Sequence, residues 1–169
     1  MKRKKTLRIL LACVLAYVAD AGAWGEPYWQ GDRMLNGGIG IVLPGAPGHM
    51  TIPPVGAGFE YGIHELVSAG AFFALSGSKD INHHMIFSLA AEGNFHPFNL
   101  PAFPEFGLKD RLDAYAGVLL GLNAITNYGG RFLWGVAGGC RYYFSNSFAV
   151  YAELGRGIGY FNIGVTMRL

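Results

Sequence analysis

Charge is scarce in this chain: 14% of residues are charged against 51% hydrophobic. That ratio excludes a disordered chain and sits badly with an ordinary wetted surface. Cysteine is nearly missing, with only Cys13 and Cys140. Beyond residue 23 no stretch offers the roughly 18 continuous apolar residues of a spanning helix. The nearest, Ala114 to Gly130, carries Asn123, Thr126, Asn127 and several glycines, so a buried helix there is a weak rival to the strand pattern. No GxGxxG phosphate cradle is present; Gly155, Gly157 and Gly159 have another spacing and read as a tight surface turn. Metal-ligand spacing is absent too. His83 and His84 are adjacent, so on a strand they point to opposite faces, and His49, His64 and His96 fall in expected loops or turns without a ligand companion. No metal or cofactor is expected.

What the chain has is glycine: 26 residues, about 15%, twice the usual share. Its N-terminus reads as a cleavable export signal over residues 1–23, with a cationic head "MKRKKTLR", an apolar core from Ile9 to Ala19 and a small-x-small site at Ala21-Gly22-Ala23. A lipoprotein reading through Cys13 leaves an apolar core of only Ile9 to Ala12. Cleavage removes Lys2, Arg3, Lys4, Lys5, Arg8 and Asp20, leaving 8 basic and 10 acidic residues. The basic balance therefore belongs to the leader, and no nucleic-acid partner is expected. Cys140 is then the lone cysteine, with no intramolecular disulfide open to it.

Apolar residues recur at every second position, as in a strand with one apolar face. In "WGVAGGCRYYF" Trp134, Val136, Gly138, Cys140, Tyr142 and Phe144 share one face, with Gly135, Ala137, Gly139, Arg141 and Tyr143 on the other. After Ser145-Asn146-Ser147, Phe148, Val150, Ala152 and Leu154 continue the apolar face and Tyr151 and Glu153 the second. A hairpin centred on Asn146 or Ser147 sets Arg141 diagonal to, or directly opposite, Glu153. The same division places Glu60 opposite the face of Val55, Ala57, Phe59 and Tyr61, Glu92 opposite that of Met85, Phe87 and Leu89, and Asp113 opposite that of Leu112, Ala114, Ala116, Val118, Leu120 and Leu122. Phe161, Ile163, Val165, Met167 and Leu169 form the last apolar set, and the runs Leu35 to Leu43 and Val67 to Leu75 complete eight strands.

Charges never interrupt the apolar face, which suits lipid better than the polar outside of a soluble sandwich. Eight spanning strands of about 9–11 residues fit within the 146 residues after position 23. The expected architecture is all-β: an eight-stranded antiparallel transmembrane β-barrel over residues 33–169, preceded by a periplasmic segment 24–32. An eight-stranded interior is just wide enough for side chains to fill, which gives inward glycines a purpose. With both termini periplasmic, Glu60, Glu92, Asp113, Arg141 and Glu153 converge on the periplasmic half of the lumen. Facing lipid, Arg141 would cost about 2–4 kcal/mol; facing inward it pairs with carboxylates through its planar fork. Four acids around one arginine is unbalanced, so Arg168 or Lys109 helps, water enters, or an acid holds a proton. The cluster reads either as a rigidifying plug or as a charge-lined constriction.

The stretches "CRYYFSNSFAVYAELGRGIGYFNIGVTMRL", "LDAYAGVLLGLN" and "PPVGAGFEYGI" resemble the small outer-membrane β-barrel proteins of diderm bacteria, the OmpA-like, OmpW-like and opacity-like group, over about Arg33 to Leu169. The resemblance implies eight antiparallel strands, outer-membrane insertion, contact with outer-membrane lipid, and no enzymatic activity. It also makes Phe161, Ile163, Val165, Met167 and Leu169 an assembly signal for the outer-membrane assembly machinery and periplasmic chaperones, although Leu169 stands where an aromatic is typical. The expected role is structural, or narrow passive passage of small solutes, in a monomer.

Two other functional classes have candidate residues in the chain. A lipid-modifying enzyme would draw on Ser76, Ser78, Asp80, His83 and His84, whose types alone show no nucleophile-to-base geometry. An adhesin would use the connections near Pro44 to Thr51, Ser76 to Asn82, Thr126 to Arg131 and Gly155 to Gly159, all short. Trp24, Tyr28, Trp29, Trp134, Tyr142 and Phe144 suit an interfacial aromatic girdle. The proline-bearing "HPFNLPAFPEFGLKDR" either lines the membrane surface or folds toward the lumen.

Overall fold

The computed structural model describes residues 27–41, 50–78, 84–104, 107–155 and 157–169. The expected leader, Trp24, Asp80, His83, Phe106 and Arg156 lie outside them, and so do the side chain of Ser78 and most of the connection before Met50.

Eight strands close into one antiparallel barrel, each bonded to its neighbours in sequence and β1 to β8. They are β1 Arg33–Gly40, β2 Met50–His64, β3 Val67–Ser78, β4 His84–Phe95, β5 Leu112–Ile125, β6 Gly129–Tyr143, β7 Phe148–Gly155 and β8 Phe161–Arg168. The alternating pattern makes these strands because each then turns one whole side-chain series inward; a slip by one residue would invert every face. Val118, Leu120, Leu122, Trp134 and Val136 point outward, each 58–64% exposed, while Asp113, Tyr115, Leu119, Asn123 and Arg141 are buried.

Several boundaries differ from the sequence pattern. β1 begins at Arg33 and ends at Gly40, and β6 starts at Gly129, leaving Thr126–Tyr128 as the turn with Asn127 at φ 68°. The β6–β7 pairing is centred on Asn146: Arg141 pairs with Tyr151 and Gly139 with Glu153, so Arg141 and Glu153 are diagonal.

The barrel has a terminal end, where both ends of the described chain and the β2–β3, β4–β5 and β6–β7 links lie, and a far end with the other connections. The long β4–β5 link contains two 3-10 turns, Pro97–Asn99 and Lys109–Arg111. It ties down the terminal end: the Asn99 side-chain amide donates to the Tyr28 carbonyl at 2.9 Å and the Glu65 carbonyl at 2.7 Å. Phe98 and Phe103 pack together with ring centroids 4.6 Å apart.

The β7–β8 connection turns at Gly155, as the sequence suggests, but overturns the surface reading of Gly157 and Gly159. Gly157, Ile158 and Gly159 are buried, and Ile158 joins Phe72, Ile86, Leu119, Ile125 and Leu133 in one apolar cluster inside the barrel. Asn162 holds the segment in place, donating to the Gly159 carbonyl at 3.1 Å and to Glu153 Oε1 at 2.7 Å. A Cβ at 157 would press on the Glu153 carboxylate and the Asn162 amide, which would have to shift.

Candidate functional site

The interior at the terminal end is built around Arg141, which β6 points inward and which is 2% exposed. Its Nη1 donates to Asp113 Oδ2 at 3.0 Å, and its Nη2 pairs with Glu60 Oε2. The guanidinium also lies over the Tyr115 ring, 4.3 Å from the centroid. Glu60, wholly buried, collects further donors: Asn36 Nδ2 and Asn94 Nδ2 at 3.2 Å each, and the Ser68 hydroxyl. So dense a donor shell is what a buried carboxylate requires to remain ionised.

His96 completes the group. The alternation had left it in a loop, yet it is 0% exposed, with Nδ1 2.7 Å from Asp113 Oδ1 and Nε2 3.1 Å from Ser68 Oγ and 3.6 Å from Glu60 Oε1. Burial pushes the His96 pKa down, but the hydrogen bonds to Asp113 and then Glu60 outweigh it and raise the value above the ordinary one. The raised value favours the imidazolium, a cation that counting Arg and Lys alone does not reveal. The signal for it was present: β4 turns Glu92 and Asn94 inward, and the same period of two reaches His96 one residue beyond the strand.

Ser68, His96 and Asp113 have the spacing of a nucleophile, base and orienting acid. Their hydrogen bonds point elsewhere. The Ser68 hydroxyl donates to Glu60 rather than to the imidazole, so the hydroxyl-to-base hydrogen bond that a nucleophile needs is not made. All three side chains are sealed, at 0–1% exposure. Of the residues weighed for lipid chemistry, Ser76 is buried and His84 Nδ1 lies 2.9 Å from the Thr126 carbonyl; Asp80 and His83 are outside the described residues.

Glu92 and Glu153 do not touch Arg141. Both line a cavity of about 30 Å³ between the ionic group and the apolar cluster, room for about one or two waters. Glu153 accepts from the Tyr115 hydroxyl at 3.1 Å and from Asn162, whereas Glu92 makes no hydrogen bond to another described residue. Arg141 Nε also faces no hydrogen-bond partner among the described residues. Arg168 stays outside this group: it pairs with Asp32 at 3.1 Å and lies over the Tyr143 ring. Lys109 Nζ reaches the Phe103 carbonyl at 3.5 Å.

Tyr28, expected in an aromatic girdle, is instead fully buried at the terminal mouth. Its ring stacks on His96 at 3.6 Å and 7°, and its hydroxyl lies 2.8 Å from the His64 carbonyl and 2.7 Å from that of Val67. Burial, followed by the nearby Glu60 and Asp113 carboxylates, holds this phenol well above its usual pKa. Backbone bonds from Gly31 to Gly62 (2.8 Å) and from Gly62 to Asp32 (2.9 Å) fasten the segment that carries it. Nothing in the sequence pattern marks Tyr28, because residues 27–32 form no alternating element. Phe161, Ile163, Val165 and Leu169 point outward on or just beyond β8 at 37–66% exposure, with Met167 partly covered.

No protein-family model and no curated protein matches this chain. Solved structures do. The N-terminal β-barrel domain of Pseudomonas aeruginosa OprF is similar over 84% of this chain and 100% of its own, at 19% identity and a TM-score of 0.53. Outer membrane protein OprG from the same organism covers 87% of this chain and 99% of its own at 12% identity and a TM-score of 0.54. A barrel from the de novo design of transmembrane β-barrels covers 84% and 98% at 13% identity and a TM-score of 0.53. The fold is that of the small outer-membrane β-barrels. At these identities the likeness extends to the fold alone.

Proposed function

We propose that the protein is a sealed outer-membrane β-barrel with a structural role in the cell envelope, lying in the bilayer as a monomer with its apolar wall against lipid. The shared fold and the outward Leu, Val, Phe and Trp side chains support insertion, since a wetted surface would leave that apolar area exposed to water. Under this reading β8, with Phe161, Ile163, Val165, Met167 and Leu169, is the segment offered to the assembly machinery and chaperones.

The observation that favours a structural role over solute passage is closure of the lumen at three depths. Tyr28 and residues 27–32 cover the terminal mouth, the Arg141–Glu60–Asp113–His96 group fills the next layer, and Ile158 with Leu119, Leu133 and Phe72 fills the layer beyond. Passage would require two folded segments and an ion-paired layer to give way together. The test is conductance of the refolded protein in planar bilayers, with insertion checked by flotation. A silent membrane is expected; discrete current steps altered by Arg141→Ala would establish the passage reading instead.

A further inference from the structure

We propose that the outer wall of the barrel carries a groove for one acyl chain of a phospholipid, with the lipid phosphate held at the Lys109–Arg111 turn; this rests on the reading of that wall as lipid-facing.

The glycines of the barrel fall into two kinds. Most of those pointing inward are crowded: a Cβ at Gly139 would come within 2.6 Å of the Tyr115 ring, and one at Gly121 within 2.5 Å of Ala90. Gly93 and Gly138 point outward, and nothing in the chain crowds them. The nearest atom to a Cβ would be the Ser68 carbonyl oxygen at 3.9 Å for Gly93 and the Tyr115 carbonyl oxygen at 3.5 Å for Gly138. Neither has a left-handed φ, and no register shift interrupts the β4–β5 or β5–β6 pairing. Glycine inside a strand weakens it, and such a glycine often sits where a ligand or another backbone approaches closely; Gly37, likewise uncrowded, lies on another part of the wall.

Gly93 and Gly138 floor a shallow, almost wholly apolar groove of about 830 Å³. Gly138 pairs with Ala116 on one side and Leu154 on the other, Gly93 pairs with Val118, and Phe95 and Val136 raise the rim. Toward the terminal end the outward pairs are Ala114 with Cys140, then Leu112 with Tyr142. At the foot of this track Arg111 Nη1 lies 3.3 Å from the Tyr142 hydroxyl, and Lys109 belongs to the same turn, with the exposed Asp110 between them.

The dimensions suit a lipid. Five residues of strand separate Arg111 from Ala116, about 17 Å along the chain. A tilt of about 35–45° reduces that to about 12–14 Å of depth, close to half of the roughly 30 Å hydrocarbon core. A cationic fork at headgroup level above a smooth apolar track fits a phosphate carrying a chain. A second barrel fits less well. Two copies sharing one membrane orientation would bring both Lys109–Arg111 turns, each with one net positive charge over its three residues, to the same depth, which weakly disfavours that contact.

The protein is refolded into phosphatidylcholine vesicles with trace phosphatidylglycerol or diacylglycerol, each nitroxide-labelled on an acyl chain, and the motionally restricted fraction is read by electron paramagnetic resonance. Flotation and strand circular dichroism test the lipid-facing reading separately. The restricted fraction is expected to be at least twofold larger for phosphatidylglycerol than for diacylglycerol. Lys109→Gln with Arg111→Gln should abolish that preference, and Gly138→Leu, which has space to fold, should lower the restricted phosphatidylglycerol at least twofold. Equal restriction of both lipids, or no change in folded variants, would overturn the proposal. So would efficient Cys140–Cys140 crosslinking in a Cys13→Ser background, which would assign the groove to a second copy.

Discussion

Arg141 and Glu60 form a buried ion pair across 81 residues of sequence, with side chains 3% and 0% exposed. Breaking such a pair from one side leaves an uncompensated charge, which typically costs about 3–5 kcal/mol. Arg141→Met is therefore expected to destabilise the refolded barrel by that amount in urea titrations within lipid vesicles. Glu153→Gln, whose partners Tyr115 and Asn162 are neutral, should change stability by no more than about 1 kcal/mol.

The position of His96 gives stability a defined pH dependence. Its folded pKa is raised, so its contribution is fully present below the unfolded value of about 6.5 and is lost as pH rises through the folded value. The groups facing it are Asp113, Glu60 and Ser68, with Tyr28 stacked on one side and Tyr115 and Arg141 beyond. The urea midpoint should fall as pH is raised above about 6.5, and His96→Gln should flatten that slope. An unchanged slope in the variant would assign the dependence to another group.

Tyr28 separates a plug from an anchor. Tyr28→Ala removes a fully buried aromatic ring, a change that commonly costs about 3–5 kcal/mol. Because the ionic and apolar layers lie beneath it, the variant should lose stability while planar bilayers stay silent. Conductance on Tyr28→Ala alone would mean that this ring is the only seal.

Glycine substitutions should divide by face. Gly121→Ala sets a methyl group against Ala90 and the Leu89 carbonyl, an overpacking that costs about 1–3 kcal/mol. Gly93→Ala has open space and should be neutral or slightly stabilising in the same unfolding assay.

The strand pattern was legible because each inward charge is flanked by outward apolar residues; Asp113 lies between Leu112 and Ala114, and Glu60 between Phe59 and Tyr61. The apolar interior was harder to see. Alternation puts Leu119 on the Asp113 side, but within Val118-Leu119-Leu120 its own side chain offers no polar contrast to mark an apolar layer inside. Ile158 and Tyr28 belong to irregular segments, and only tertiary contacts place them inside. His96 is intermediate, reachable by continuing β4 for one residue but hidden by the proline that follows, which suggests a loop.

The account depends on the apolar wall touching lipid while the charges stay enclosed. Nitroxide labels at Val118→Cys and Val136→Cys, in a chain lacking its own cysteines, test this through collision with dissolved oxygen and with a polar nickel chelate in vesicles. Both sites should be open to oxygen and shielded from nickel. Ready collision with nickel at either site would place the wall in water and contradict the account.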